Sequence, residues 1–346
     1  MGKKGKKVRF GIIGCGIIAD SHGAAIEFVE DAQLVAVCDI IDDRMNKFTD
    51  KYGAAKKYCD YKEMLNDPQI DAVSICTPSG MHGEMAINAA RAGKHIFCEK
   101  PIEITGEKID NMIAEVEKSG VKMGCVFQRR TFAESIAVKK ALDEGKFGKI
   151  ILADAYLKYY RSTEYYASAD WRATWELDGG GSLMNQGVHG IDLITWLAGD
   201  VQSVFARASA LRHDIDVEDT AVAVVKYKNG ALGVIEGTTS VYPGQSTRFE
   251  LHCENGTIIF GDEGIQQWEL KDNPGEKAPE LLKNNISIKD DPQKLMNTSH
   301  AALMEDFVDS INSDRDPLIT PRIARKSVDL ILAIYESAKT GKEVWL

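Results

Sequence analysis

The sequence of 346 residues lacks several features that would assign it to a membrane, nucleic-acid or metal-binding class. No apolar run approaches the ~20 residues needed to cross a bilayer, so no membrane-spanning helix is predicted. The seven cysteines form no CxxC pair and are odd in number, so neither a metal site nor a closed disulfide framework is predicted. Lys and Arg number 42 against 52 Asp and Glu, and the net charge of -10 repels a phosphate backbone. A nucleic-acid partner is therefore not expected, whereas a small ligand in a locally basic pocket remains possible.

Five basic residues near the start of the sequence precede an apolar stretch, as they do in an export signal. Within that stretch, Ile12-Ile13-Gly14-Cys15 loosely resembles a lipoprotein cleavage box. The stretch contains three glycines, however, and continues directly into Asp20 and His22, which a signal sequence does not tolerate well. Cysteines placed within apolar runs fit a reducing compartment. A cytoplasmic location is therefore expected.

The first third of the sequence predicts a parallel sheet. Its apolar runs are continuous rather than alternating, which is typical of strands covered on both faces. Helical segments with glycine stops separate these runs, as in βαβ units. We expect a doubly wound α/β domain over residues 1–127, with strands at 8–13, 34–38, 72–76, 95–98 and 122–127, and helices at 24–29, 45–52, 61–65, 84–92 and 108–119.

The remainder of the chain predicts a second α+β domain, residues 128–346, with a large, mostly antiparallel sheet. Asn229-Gly230 and Asn255-Gly256 each lie between β-rich segments and indicate hairpins. A final helix over 323–339 is expected to close this domain or to pack back on the first one. The predicted strands are 150–160, 201–211, 219–227, 231–241, 248–253 and 257–260, and the other predicted helices are 134–144 and 304–312.

A dinucleotide-binding motif follows the first predicted strand. Gly14-Cys15-Gly16-Ile17-Ile18-Ala19 has the form GxGxxA and opens the first predicted helix. Gly14 permits the tight turn, Gly16 permits close approach of a pyrophosphate, and the small Ala19 permits the helix to pack on the strand. We expect cofactor contacts from this loop, including Ile17 and Ile18. The alternative is that the glycines are ordinary turn residues.

The residue that ends the second predicted strand indicates which dinucleotide binds. Asp39 lies 20 residues after Ala19, where a carboxylate accepts hydrogen bonds from the ribose hydroxyls. A 2′-phosphate would be repelled there, so NAD is favoured over NADP. Arg44 is a further cofactor candidate and keeps NADP possible, because a guanidinium can neutralise that carboxylate.

Five short motifs follow one another along almost the whole chain. They are Gly14–Ala19, Cys76-Thr77-Pro78 with His82, Glu99-Lys100-Pro101, Gly179-Gly180-Gly181, and Gly187-Val188-His189-Gly190-Ile191-Asp192. Each motif alone could arise by chance, but their order and spacing are specific, and together they resemble the Gfo/Idh/MocA oxidoreductase family. The resemblance implies cofactor contacts from Thr77, Pro78, His82 and Glu99.

The resemblance implies that Lys100 is the proton-transferring lysine beside the nicotinamide. Glu99 and Pro101 would fix its turn, often through a cis Lys-Pro peptide. A lysine near a cationic ring and partly desolvated loses proton affinity and can act as an acid or base near neutrality. The alternative is an exposed loop lysine beside a neighbouring glutamate.

His189 is the second implied catalytic residue. If the helix that carries it already includes Asn185, then Asn185, His189, Asp192 and Trp196 share one face. The family usually has an aspartate four residues before the histidine, and this chain has Asn185. An amide can bind a sugar hydroxyl but cannot accept a proton, so Asn185 and Asp192 are predicted substrate contacts. The alternative for His189 is a satisfied structural histidine.

An aromatic loop precedes the three glycines. The resemblance places Trp171 and Arg172 at the cofactor and the nearby tyrosines, including Tyr159, near the substrate, where aromatic planes stack on sugars. Trp175 and Gln128 are further predicted contacts, and core packing is an equal alternative for the tyrosines.

These features together predict an NAD-dependent dehydrogenase that oxidises a secondary hydroxyl of a sugar, cyclitol or sugar nucleotide. Two alternatives remain open: an NAD-dependent glycoside hydrolase of the same fold, and a non-catalytic dinucleotide-binding regulator. Strands as apolar as 221–225 and 231–235 cannot leave one face in water, so a homodimer or homotetramer through the second domain's sheet is also predicted.

Overall fold

The computed structural model describes residues 6–280 and 292–346, which form two compact units. The first unit is drawn from Met1–Gln128 and Gln293–Arg325, and the second from Arg129–Pro292 and Lys326–Leu346. The units are therefore not consecutive stretches of chain, as the predicted 1–127 and 128–346 would be. Within the described residues, no helix is both long and apolar enough to cross a membrane.

The first unit contains a six-stranded parallel sheet in the order β3-β2-β1-β4-β5-β6. The order runs outward from β1 in both directions, so the carboxyl ends of β1 and β4 lie side by side at the position where chain direction along the sheet reverses. The strands are β1 (Val8–Ile13), β2 (Ala32–Cys38), β3 (Lys56–Tyr58), β4 (Ala72–Ile75), β5 (His95–Cys98) and β6 (Met123–Cys125), and the helices are α1 (Ala19–Phe28), α2 (Asp42–Tyr52), α3 (Tyr61–Leu65), α4 (His82–Arg91) and α5 (Gly106–Ser119).

The second unit contains an eight-stranded sheet in the order β13-β12-β11-β7-β10-β9-β8-β14. All neighbouring strands in it are antiparallel except β7 and β10. Its strands are β7 (Ile150–Lys158), β8 (Val201–Ser209), β9 (Thr220–Tyr227), β10 (Leu232–Thr238), β11 (Arg248–Cys253), β12 (Gly256–Gly261), β13 (Gly264–Leu270) and β14 (Val344–Trp345), and its helices are α6 (Ala133–Asp143), α7 (Thr163–Tyr166) and α8 (Val188–Ala198).

Two long helices, α9 (Pro292–Asn312) and α10 (Pro321–Thr340), precede the last strand. Phe307 on α9 packs against Phe10 of β1 and Phe97 of β5, so this helix covers the parallel sheet. That burial explains why the segment after 293 belongs to the first unit. Helix α10 begins in the first unit, where Arg322 pairs with Glu117, and continues as part of the second.

The predicted α/β class is confirmed, with a parallel sheet followed by a mostly antiparallel one. Three short or polar strands were missed: β3, β13 and β14. Each is an edge strand; β3 and β13 are largely polar and β14 has only two residues, so no apolar run marks any of them. Helix α1 begins at Ala19 rather than 24, because the glycine loop runs directly into it, and α9 extends well before the predicted residue 304.

Candidate active site

The glycine loop after β1 leaves open space where a dinucleotide's pyrophosphate would lie. Gly14 has a φ of +90°, and a Cβ there would meet the Cys76 carbonyl oxygen at 2.9 Å. Gly16 has no atom within 4 Å of the position of its Cβ. Helix α1 starts at Ala19, and no side chain caps its N-terminus at Ile18. The loop therefore has the turn, the clearance and the helix N-terminus that fit an anion.

Asp39 lies at the end of β2 and holds the same loop. Its carboxylate accepts hydrogen bonds from the Cys15 N–H at 2.7 Å and the Ile41 N–H at 2.9 Å. Among the described residues, Arg44 forms no ion pair with Asp39, and its side chain is exposed on α2. Arg44 therefore does not neutralise the Asp39 carboxylate, which would repel a 2′-phosphate, and the site fits NAD.

Two large apolar side chains stand exposed near this loop. Ile17 is 89% exposed and Ile40 is 88% exposed, although isoleucine is usually buried. They follow β1 and β2, whose carboxyl ends are adjacent in the sheet. Flat apolar groups such as an adenine bind on such surfaces.

The loop after β4 is tied to the turn after β5 through a buried histidine. The His82 ring is 1% exposed and contacts the Thr77 carbonyl oxygen at 3.0 Å and the Pro101 carbonyl oxygen at 2.8 Å. The predicted cofactor role of His82 is therefore corrected: its ring holds two loops together and does not face a ligand. Thr77 and Pro78 remain partly exposed on that loop.

Lys100 lies directly after β5, joined to Pro101 by a cis peptide bond as the resemblance implied. Its backbone N–H donates to Glu99 Oε2 at 3.0 Å. Glu99 itself is only 4% exposed. Glu99 was predicted to contact the cofactor directly, but it is buried and instead accepts the hydrogen bond that positions the Lys100 backbone.

The other Glu99 oxygen is held by two buried histidines from distant parts of the chain. His22 Nε2 lies 2.8 Å and His300 Nε2 lies 3.1 Å from Glu99 Oε1, and His22 Nδ1 lies 2.5 Å from the Ser74 hydroxyl. Burial alone would raise the pKa of Glu99, but these two hydrogen bonds outweigh it and hold that pKa well below its usual range. Burial lowers the pKa of His22 despite the Glu99 contact.

This cluster of His22, Glu99 and His300 also has the residue types of a metal site, with its ligand atoms within 4.8 Å of one another. Hydrogen bonds account for its spacing, since each imidazole can donate one N–H to the same carboxylate oxygen. The cluster therefore serves to fix the carboxylate that the Lys100 N–H binds.

In the second unit, the three glycines form a turn around a buried carboxylate. Glu218 is 4% exposed and accepts hydrogen bonds from the N–H groups of Gly181 and Leu183 and from the Tyr335 hydroxyl. A Cβ on Gly181 would lie 1.8 Å from the Glu218 carbonyl oxygen, so only glycine fits. Burial raises the pKa of Glu218, opposed by these hydrogen bonds.

A π-helical stretch, Ser182–Gly187, leads from this turn into α8. Asn185 lies in that stretch and His189, partly exposed, in the first turn of α8. Asn185 therefore lies outside α8, so the condition for a single α-helical face through Asn185 and His189 is not met.

Asn185 is oriented by two neighbouring side chains. Its Nδ2 donates to Asp178 Oδ1 at 2.6 Å, and its Oδ1 accepts from Gln186 Nε2 at 2.9 Å. Asp178 is 3% exposed and also accepts from the Ala173 N–H. A carboxylate thus lies behind the amide that replaces the family's usual aspartate.

Asp192 occupies a different environment from the one predicted. It is 1% exposed, and its two carboxylate oxygens accept from Arg130 Nε at 2.8 Å and Nη2 at 2.7 Å. Arg130 also lies over the Trp196 ring, 5.3 Å from its centroid. Asp192 is therefore a buried structural ion pair and not a substrate contact.

The aromatic loop forms a cluster around Tyr165. Arg172 lies over the rings of Tyr165 and Trp171, at 4.4 and 4.7 Å from their centroids. Trp175 is half exposed, and its Nε1 donates to the Asp216 carbonyl oxygen. The other predicted contacts, Tyr159 and Gln128, are partly exposed in different units; the Tyr159 hydroxyl lies 3.2 Å from that of Thr247.

Comparison with known protein families decides the assignment. Residues 8–127 match the family described as "Oxidoreductase family, NAD-binding Rossmann fold", and residues 136–259 match the "GFO/IDH/MocA C-terminal domain". The chain belongs to the Gfo/Idh/MocA oxidoreductase family. As a member of this family it is an NAD-dependent oxidoreductase that acts on CH–OH groups.

Individual members of the Gfo/Idh/MocA family match this chain along nearly all or most of its length. The myo-inositol 2-dehydrogenase of Thermotoga maritima is 28% identical, covering 98% of each chain, and the levoglucosan dehydrogenase of Pseudarthrobacter phenanthrenivorans is 30% identical, covering 75% of this chain and 74% of its own. The WlbA dehydrogenase of Bordetella pertussis, solved in complex with NADH and UDP-GlcNAcA, is 32% identical with a TM-score of 0.88, covering 99% of this chain and 98% of its own.

Four supporting residues could not be found from the sequence motifs: His22, His300, Asp178 and Glu218. His22 carries a weak signal, since it follows the glycine motif on α1, one turn after the loop. His300 and Glu218 lie far along the chain from the groups they hold. Asp178 directly precedes the three glycines, and that position is the signal that could have indicated it.

Proposed function

We propose that this chain is an NAD-dependent dehydrogenase that oxidises a secondary hydroxyl of a sugar, cyclitol or sugar nucleotide, with Lys100 and His189 moving the hydroxyl proton. The observation that carries the proposal is the environment of Lys100. It follows β5 at the carboxyl edge of the parallel sheet, and its N–H is held by a carboxylate that two buried histidines fix. Such a buried support is unexpected for an ordinary surface lysine.

Each candidate group has a distinct chemical task. Bound NAD supplies the hydride acceptor. Lys100 and His189 each carry a nitrogen that can accept the hydroxyl proton as the carbonyl forms. Asn185 has its amide oriented by Asp178 and Gln186, and it can bind a hydroxyl but take no proton.

The test is NADH formation by the purified protein with a panel of hexoses, cyclitols and sugar nucleotides. Lys100→Ala and His189→Ala should each lower kcat by about tenfold or more, which is typical for loss of an acid–base group. Lys118→Ala, at an exposed position on α5, and His252→Gln, on β11, are matched controls expected to leave kcat unchanged. If neither active-site variant lowers kcat tenfold, the assigned proton transfer is wrong.

Two further readouts address the alternative functions. Release of an aglycone from a glycoside without accumulation of NADH would indicate a hydrolase that regenerates its NAD, rather than a dehydrogenase. Tight NAD binding without turnover on the whole panel would instead favour a regulator.

A further inference from the structure

Two arginines of the second unit converge on one tyrosine. Arg161 and Arg172 lie over the Tyr165 ring, with guanidinium carbons 5.2 and 4.4 Å from its centroid. Arg172 Nη1 also donates to the Tyr165 hydroxyl at 2.7 Å. Two positive charges brought to a single neutral side chain repel each other, and that cost needs a compensating group.

No carboxylate within residues 6–280 and 292–346 forms an ion pair with either arginine. The nearby Arg129 and Arg130, by contrast, pair with Asp262 and Asp192. Arg161 Nε is buried and has no acceptor in the same described part of the protein. A buried guanidinium N–H without an acceptor is costly and uncommon.

A third arginine adjoins the pair. Arg161 Nη1 donates to the Tyr160 carbonyl oxygen and Arg212 Nη2 to the Tyr160 hydroxyl, each at 3.0 Å. Arg212 lies over the Tyr160 ring and, within the part of the chain that is described, has no ion pair. Three arginines without an ion pair among the described residues thus lie around Tyr160 and Tyr165, in a protein whose net charge is -10.

This basic cluster, defined as Arg161, Arg172 and Arg212, is connected to the predicted substrate residue. Arg161 Nη2 donates to Gln186 Oε1 at 2.7 Å, and Gln186 Nε2 donates to Asn185 Oδ1 at 2.9 Å. Gln186 also donates to the Tyr165 hydroxyl. The guanidinium of Arg161 is thus two hydrogen bonds from the amide proposed to bind the hydroxyl.

We propose that the basic cluster binds an oxyanion of the substrate, so that the enzyme acts on acidic sugars rather than neutral ones. The oxyanion is either a phosphate, as in a sugar nucleotide, or a carboxylate, as in a uronic acid, because planar guanidinium groups bind both in the same bidentate manner. The inference rests on the proposed function and narrows its substrate class.

Binding to the NAD-saturated protein tests the proposal by titration calorimetry with matched probes. UDP-glucose is compared with D-glucose, and D-glucuronate with the same neutral sugar. At least one acidic probe should bind about tenfold or more tightly than glucose, and its affinity should fall as salt rises. The acidic probe that binds more tightly than glucose identifies the oxyanion as a phosphate or a carboxylate.

Arg161→Gln and Arg172→Gln should each raise the Kd of that acidic probe about tenfold. Arg172→Gln should leave the Kd of glucose within twofold, whereas Arg161→Gln should raise it, but by less than that of the acidic probe, because Arg161 also holds Gln186 beside Asn185. Arg212→Gln, at an exposed site, should have a smaller effect in the same direction. Arg91→Gln is the control, because this surface arginine pairs with Glu115. The Kd of NAD, measured separately, should not change in any variant.

Three outcomes overturn the inference: equal binding of acidic and neutral probes, unchanged probe affinity in both variants, or a rise in the Kd of NAD alone, which would place Arg172 at the cofactor. Rapid oxidation of glucose or inositol with no preference for acidic sugars would overturn it while the proposed dehydrogenase stands. Absence of NADH formation from every sugar would instead reject the proposed function.

Discussion

The two units of this protein position their predicted site residues in different ways. In the first, the groups follow the carboxyl ends of β1, β2, β4 and β5, and parallel topology brings those ends to one edge. In the second, Asn185 and His189 lie on a π-helical stretch and a helix start, which no sheet rule locates. A ligand site on a parallel sheet can therefore be found from strand order, whereas one beside an antiparallel sheet depends on side-chain partners.

Alanine substitutions at one glycine of each unit should have the largest and most different effects. Gly181→Ala places a Cβ 1.8 Å from the Glu218 carbonyl oxygen, a backbone atom that cannot move without distorting the turn. We expect a loss of about 3 kcal/mol or more in the free energy of unfolding, or failure to fold. Gly16→Ala has open space around its Cβ and should fold normally, but bind NAD about tenfold more weakly because the methyl group obstructs the pyrophosphate.

Thermal unfolding and NAD titration measure these two effects separately. A Gly181→Ala protein with an unchanged Tm would show that the turn relaxes. If Gly16→Ala binds NAD as tightly as the wild type, the pyrophosphate does not bind at this loop.

The second comparison concerns the sheet faces. Helices cover the parallel sheet, whereas β8, β9 and β10 expose Phe205, Val222, Val224 and Leu232 on one face of the antiparallel sheet in the single chain. Val224 is 54% exposed. We therefore predict a homodimer or homotetramer through this face.

Light scattering at micromolar concentration checks the assembly. The mass should exceed that of the 38.1 kDa chain, and Val224→Lys should reduce it by placing a charge in the apolar face. Lys118→Ala, at an exposed position on α5 of the first unit, is the control and should keep the mass. A wild-type mass near that of one chain contradicts the prediction.

The sequence predicted the glycine loop, Asp39 and Lys100 because each lies within a short motif at a strand end. It did not predict that Glu99 contacts His22 and His300, since 201 residues separate Glu99 from His300 and only the packing of α9 joins them. Asp192 was misassigned for a related reason. A helical repeat shows which residues can share a face, but not that Arg130, 62 residues away, already occupies the carboxylate.

Cofactor choice provides a smaller test within the first unit. Asp39→Ala removes the carboxylate that accepts the Cys15 and Ile41 N–H groups and that would repel a 2′-phosphate. The ratio of NADP to NAD dissociation constants should fall by about tenfold, because one unfavourable charge contact is worth roughly that factor. Asp42→Ala, exposed on α2, is the control. Equal affinities for both dinucleotides in the wild type would mean that Asp39 does not discriminate.

The smallest predicted effect is an opposite response of the two units to acid. Burial raises the pKa values of Asp192 and Glu218 in the second unit, so the folded state binds protons there more readily than the unfolded chain and gains stability as pH falls. Burial lowers the pKa of His22 in the first unit, so below about 6.5 the unfolded chain takes up a proton that the folded state does not. Stability carried by the first unit therefore falls as the pH drops below about 6.5. Glu99, with its depressed pKa, adds a loss only below its ordinary 4.5.

Calorimetric unfolding at pH 7, 6 and 5 measures this response. His22→Gln removes the proton uptake at this position and should flatten the fall in Tm by a few degrees, even though its Tm at pH 7 is lower through loss of the Glu99 and Ser74 contacts. His252→Gln, on a partly exposed position of β11, should leave the slope unchanged. The same steep fall in His22→Gln as in the wild type would assign the acid sensitivity to another group, such as the half-buried His95, whose pKa burial also lowers.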